Sequence, residues 1–387
     1  MRVAFVVQRY GLEVNGGAAL FCRSIAEHMS KYWDVEVITT CAVDYISWEN
    51  EYRPGPDDIN GIKVLRFPVE RPRAWLRPRL LSGMLSIMPN AKRLWPEWMK
   101  AQGPYSTGLL GFIEKEKDNY DYFIFVTYLY CTTYFGLRKV REKAVLIPHA
   151  EDAPVLGRPM FNDIFNMPKA VIYNTPEEKR LVNRLHGNGH ISGDVIGVGV
   201  DLPRSIDANG ARRKFNLSGD FVLYIGRITP DKGCDRMFEH FIRYKKRRPG
   251  PLKLVLIGKA FMDVPAHADI VSLGFLSEQD KFNTLSASRM LIMPSPYESL
   301  SIVLLEAWLA KTPVLVNGGC DVMRGQCERS GGGLAYGDYD EFARHVDYLL
   351  ANGDVREGMG MSGREYVASN YGWDIIEKKY LNLFEKI

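Results

Sequence analysis

Two glutamates, Glu298 and Glu306, stand eight positions apart in the stretch Met293-Pro294-Ser295-Pro296-Tyr297-Glu298-Ser299-Leu300-Ser301-Ile302-Val303-Leu304-Leu305-Glu306-Ala307. The apolar run 290–293 predicts a buried strand, Pro294 and Pro296 end it, and a helical pattern begins near Leu300. The corner is therefore a helix N-terminus, whose unpaired backbone N–H groups and dipole suit a phosphate. At about 1.5 Å rise per residue the two carboxylates would lie about 12 Å apart, with Glu298 in the loop just before the helix. That is too far for a glycosidase pair, which needs roughly 5 to 9.5 Å. It suits two carboxylates holding hydroxyls at opposite ends of a diphosphate, one on a sugar and one on a ribose. Taken alone, the pair reads equally well as two ordinary glutamates on a solvated helix face.

A second stretch, Phe221-Val222-Leu223-Tyr224-Ile225-Gly226-Arg227-Ile228-Thr229-Pro230-Asp231-Lys232-Gly233, predicts an apolar strand ending in glycine, a turn with an arginine and a lysine, and a helix from about Cys234. A diphosphate leaving group needs compensating positive charge. Arg227 and Lys232 can supply it through charge-assisted contacts, bidentate in the case of arginine. The alternative is an exposed turn with incidental charges.

With both motifs in view, the chain resembles the retaining glycosyltransferases of family 4, which have the GT-B fold. The resemblance spans nearly the whole chain and implies an α/β protein of two facing Rossmann-like domains with a cleft between them. It implies that Arg227 and Lys232, beside Gly226, bind the donor diphosphate, Glu306 the ribose hydroxyls and Glu298 the transferred sugar. The backbone around Ser299, Leu300, Ser301 and Ile302 would bind phosphate. The paired glutamates with the Gly-Arg and Lys-Gly turn, in this order, form a specific combination, whereas either motif alone is weaker.

The N-terminal half has the matching parts. Residues 3–7 predict a short strand, 8–17 a loop ending in Gly16-Gly17, and Phe21, Ile25 and Met29 recur at helical spacing. The full Gly-x-Gly-x-x-Gly pattern of a dinucleotide site is missing. In the family that the chain resembles, this paired-glycine loop approaches the donor phosphate or the acceptor; a simple turn is the alternative. His149 follows the apolar run 144–147 and Pro148, which predicts a place at the carboxyl end of a parallel strand, where open α/β sheets bind ligands. The family has a histidine here that contacts the donor sugar, against the alternative of a structural histidine. It often has an acid directly after that histidine, whereas this chain reads His149-Ala150-Glu151-Asp152.

The reaction implied is transfer of a hexose from a nucleotide diphosphate sugar to a hydroxyl of a glycan or lipid-linked acceptor, in cell-surface polysaccharide synthesis. It would proceed with retention, by front-face attack, since no residue in the motifs is an obvious covalent nucleophile. Two rival readings stand beside it: a sugar-nucleotide epimerase of the same architecture, and a non-catalytic nucleotide-sugar-binding subunit. No metal is expected. Asp338-Tyr339-Asp340 precedes a predicted helix at Glu341, where capping accounts for it, and no cofactor is implied.

At 387 residues the chain is long enough for two domains. The expected division is 1–200, acceptor side; a linker, 201–215; 216–370, nucleotide-sugar side; and a C-terminal helix, 371–387, crossing back to the first domain. The six cysteines have no metal spacing and read as reduced thiols, and no run is long enough to cross a membrane, so the expected place is cytoplasmic. A net charge of +4 gives no argument for nucleic acid. One segment is distinctive: within 71–98, Arg71, Arg73, Arg77, Arg79, Lys92 and Arg93 interleave with Trp75, Leu76, Leu80, Leu81, Met84, Leu85, Ile87, Met88, Trp95 and Trp98. It reads either as a pair of peripheral helices packed on the first domain or as a patch lying on the inner face of an anionic membrane that carries a lipid-linked acceptor.

Overall fold

Short apolar runs that end at Gly, Pro or Asn become the strands, and amphipathic stretches between them become covering helices. The computed structural model describes residues 1–14, 16–73 and 76–387; Trp75 of the basic segment lies outside them, as does the side chain of Arg77. The chain forms two units, Met1–Gly199 with Ile376–Ile387, and Val200–Ile375.

The first unit holds β1 (Arg2–Val6), β2 (Asp34–Thr40), β3 (Gly55–Ile59), β4 (Ile62–Phe67), β5 (Tyr122–Val126), β6 (Ala144–Ile147), β7 (Ala170–Tyr173) and β8 (Ser192–Val195). They lie in the order β3-β4-β2-β1-β5-β6-β7-β8, parallel apart from the β3–β4 pair. β6 and β7 are buried at every position, as strands covered on both faces must be. The order of strands reverses at β1, so the carboxyl ends of β1 and β5 flank a topological switch point.

The second unit holds β9 (Phe221–Ile225), β10 (Lys253–Ile257), β11 (Ile270–Ser272), β12 (Met290–Met293), β13 (Val314–Asn317) and β14 (Gly333–Tyr336), all parallel, in the order β11-β10-β9-β12-β13-β14. Numbered within the unit, this is the 3-2-1-4-5-6 order of a Rossmann sheet, with its switch point between β9 and β12. The loops after those two strands are the ones carrying Arg227, Lys232 and Glu298.

Part of the stretch expected to be a linker is instead folded. Ala208–Lys214 is a helix, capped by the Asp207 side chain, which accepts from Gly210 N–H. Arg212 donates to the carbonyls of Gly219 and Ala287, and Lys214 pairs with Asp280, so the polar residues that read as linker anchor this helix within the second unit. From Ile376 onward the helix Trp373–Phe384 belongs to the first unit. There Glu377 accepts from Lys31 and Tyr32 and bonds His28 Nδ1, while the Phe384 ring meets those of Trp33 and Tyr122.

The basic segment forms helices Leu76–Ile87 and Leu94–Gln102. They pack on the first unit through buried Leu85, Trp98 and Met99, and Trp98 Nε1 joins them by donating to Ser82. Asp338 caps the helix Tyr339–Ala351 by accepting from Glu341 N–H. All six cysteines are free and buried, and no helix among the described residues is long and apolar enough to cross a membrane.

Candidate functional site

The turn after β9 is fixed by its own backbone. Tyr224 donates its hydroxyl to the Arg227 carbonyl at 2.6 Å, and Ile228 pairs with the segment after β10 by donating to the Lys259 carbonyl. A 3-10 turn, Pro230–Lys232, follows and ends at Gly233, which has a φ of 74°. A Cβ at Gly233 would lie 2.4 Å from the Pro294 carbonyl oxygen, so glycine is what lets this turn press against the loop after β12. That approach sets Lys232 Nζ 2.9 Å from Glu298 Oε1, both side chains mostly shielded from water. Arg227 emerges from the same turn, more exposed, with Nη2 3.9 Å from Asp231.

Glu298 precedes the helix Ile302–Leu309, which starts two residues later than the sequence pattern suggests. Ser299, Leu300 and Ser301 are buried and lead into it, with Ser301 at the N-cap and no carboxylate in the first turn. This leaves the helix dipole's positive end uncompensated from within the helix, a setting that favours an anion. Glu306 lies inside the same helix. Its Oε1 accepts from Lys281 Nζ at 2.8 Å, whereas its Oε2 is inaccessible to water and has no hydrogen-bond partner. Burial pushes the Glu306 carboxyl up and Lys281 pulls it back in part. Burial also pulls the Lys281 ammonium down, but Glu306 and Glu278 outweigh it and leave it raised. The arrangement holds one oxygen of Glu306 and leaves the other without a donor.

In the first unit, His149 follows β6 with a φ of 49°, a left-handed conformation unusual for a residue with a Cβ. Its ring stands edge-on to Phe21, centroids 4.5 Å apart, and its Nε2 is inaccessible and has no partner. Burial pulls its pKa down to about 4, so the ring is neutral at physiological pH. Phe21 sits one turn into the helix Gly17–Met29, so the Gly16-Gly17 loop and His149 meet in one neighbourhood. Gly16 takes a φ of 138°, and a Cβ there would come 3.2 Å from Arg9 Nη2; Gly17 begins the helix with open space around its Cα.

Residues 206–366 match the family model of glycosyl transferases group 1. The chain is similar over its whole length to the uncharacterized glycosyltransferase MJ1607 of Methanocaldococcus jannaschii, 24% identical and covering 98% of that protein. The chain is a glycosyltransferase. This glycosyltransferase is also 24% identical, over 48% of its length and 54% of the relative's, to the GDP-mannose-dependent monoacylated alpha-(1-6)-phosphatidylinositol monomannoside mannosyltransferase of Corynebacterium glutamicum. Among solved structures, Anabaena Alr3699/HepE in complex with UDP-glucose matches with a TM-score of 0.73 at 16% identity, covering all of both chains, which shows the GT-B fold.

Sequence reasoning missed two residues that bond to the candidate site residues or the backbone beside them. Lys281, which holds Glu306, lies in the separate helix Glu278–Ala287, and nothing in its spacing marks it. Glu178, which bonds the backbone beside His149, did leave a trace: Thr175-Pro176-Glu177-Glu178 has the spacing of a capping box with proline at the first helical position.

Proposed function

We propose that this glycosyltransferase is a retaining enzyme of family 4 that moves a hexose from a nucleotide diphosphate sugar to a hydroxyl of a glycan or lipid-linked acceptor. The observation carrying this reading is the 2.9 Å approach of Lys232 to Glu298 across the switch point of the second sheet. In the proposed reaction Lys232 turns to the departing diphosphate with Arg227, and their charges offset the one that develops as the glycosidic bond breaks. The backbone from Ser299 to Ile302 receives a phosphate, Glu298 a sugar hydroxyl, and Glu306 the ribose. His149, neutral and with a free Nε2, contacts the transferred sugar, and the glycine loop at Gly16, Gly17 accommodates the donor phosphate or the acceptor. Gly226 keeps the diphosphate turn close to the sheet. The solved structure with bound UDP-glucose supports a nucleotide-sugar donor.

A lipid-linked acceptor is supported by the helix Leu76–Ile87. Leu76, Leu80, Met84 and Ile87 recur on one helical face at 76%, 69%, 43% and 82% exposure, and Met88 beyond the helix end is also exposed. No acidic residue occurs between Arg71 and Pro96. An apolar stripe flanked only by basic residues suits the surface of an anionic bilayer.

The reading is tested by following sugar nucleotides by NMR with and without glycan or lipid-linked acceptors. Acceptor-dependent consumption with retained anomeric configuration is expected. Interconversion of the donor without any acceptor would replace the reading with an epimerase, and inversion would remove the family 4 mechanism.

A further inference from the structure

We propose that Glu178 is a positioning residue that holds His149 in its left-handed conformation at the carboxyl end of β6. The inference rests on the role given to His149 above. A left-handed residue with a Cβ persists only where its surroundings impose that backbone. At His149 both flanking peptide groups are pinned. The Pro148 carbonyl before it accepts from Tyr128 N–H at 3.0 Å, from the loop after β5. The Ala150 N–H after it donates to Glu178 Oε1 at 2.5 Å, from the helix that follows β7.

Glu178 spans two loops. Its Oε2 accepts from Asn174 N–H at 2.6 Å, so one carboxyl group joins the strand-end loops of β6 and β7. Its own position is fixed by Thr175, the N-cap of the helix Pro176–His186, whose hydroxyl accepts from Glu178 N–H. The side chain is fully buried and makes no ion pair among the described residues. Burial pushes its pKa up to about 8, against the pull of the two backbone N–H groups. A carboxyl group so placed is costly to bury. What it gains is bonding to two backbone N–H groups through two separate oxygens, whereas glutamine would turn its NH2 donor towards one of them.

A misplacement of about 1 Å at a catalytic group can reduce turnover on the order of a hundredfold. The test measures turnover of the sugar nucleotide, nucleotide affinity and thermal midpoint for His149→Ala, Glu178→Gln and the double variant. Glu178→Gln is expected to lower kcat about ten- to a hundredfold, with nucleotide affinity within about twofold of the native value, because the nucleotide contacts assigned above to the second unit are untouched. The double variant is expected to be no slower than His149→Ala alone, since Glu178 acts through His149. Native kcat in Glu178→Gln, or losses that multiply in the double variant, would overturn the proposal. If His149→Ala itself keeps native kcat, the role assigned to His149 fails, and the proposal with it. Should Glu178→Gln not accumulate as folded protein, Glu178→Asp, which keeps the carboxyl group but shortens the reach, is measured in the same way with the same expected losses.

Discussion

At the scale of single residues, the charges of the second unit are paired with one another in a way that donor binding would rearrange. Lys232 is held by Glu298 and has one ammonium to offer a phosphate. Lys232→Ala is expected to lower kcat on the order of a hundredfold, as removal of one preorganised charge stabiliser does; turnover kinetics at saturating donor check this, and full turnover would remove Lys232 from the mechanism. His149 makes a separate prediction about pH. Burial lowers its pKa from 6.5 to about 4, so between those values the unfolded chain binds a proton that the folded chain does not. The stability contributed by the neutral ring is present above pH 6.5 and lost as the pH falls towards 4. Denaturant unfolding at several pH values should show a shallower acid-side decline in His149→Asn than in the native protein.

At the scale of elements, the site depends on how turns and helices are brought into register. Gly233 shows this most clearly, because its left-handed backbone and the 2.4 Å spacing to the Pro294 carbonyl leave no room for a side chain. Gly233→Ala should cost at least roughly 1–2 kcal/mol from the backbone conformation alone, measured by urea unfolding, and should also weaken nucleotide binding by separating Lys232 from Glu298. The helix Glu278–Ala287 contributes through Lys281. Lys281→Ala leaves the carboxylate of Glu306 buried and uncompensated, and is expected to destabilise the protein by roughly 3–5 kcal/mol, read from the same unfolding curves. Elements of this kind differ in how far the sequence reveals them. The strand-turn-helix corners at 221–234 and 290–302 were legible because continuous apolar runs end abruptly at glycine or proline. The helix Ala208–Lys214 was not, since Asn209, Gly210 and three successive basic residues have loop-like composition and its cap and anchors are tertiary. The Lys281–Glu306 pair was equally hidden, because it joins different helices across 25 positions with no periodic signature.

At the scale of the whole molecule, each unit is a Rossmann-like sheet with a switch point, and the expected site residues gather at the carboxyl ends of the strands in both. The alternation of apolar strand and amphipathic helix made this architecture legible, while the surface role of the 71–98 segment was left between packing and membrane contact. The structure shows the packing, with Leu85, Trp98 and Met99 facing the core, while Leu76, Leu80 and Ile87 face outward. Replacing those three outward residues with glutamate is expected to abolish flotation with vesicles containing anionic lipid and to leave folding intact, as surface changes usually do; unchanged flotation would remove the membrane from the account. The most direct test of the central claim is calorimetric titration of the native protein, Arg227→Ala and Glu306→Ala with UDP, GDP and ADP and their sugar conjugates. The account predicts that one nucleotide series binds the native protein and that each substitution weakens it at least about tenfold, the loss of one charged hydrogen-bond partner. Binding of no series, or equal binding by both variants, would contradict it.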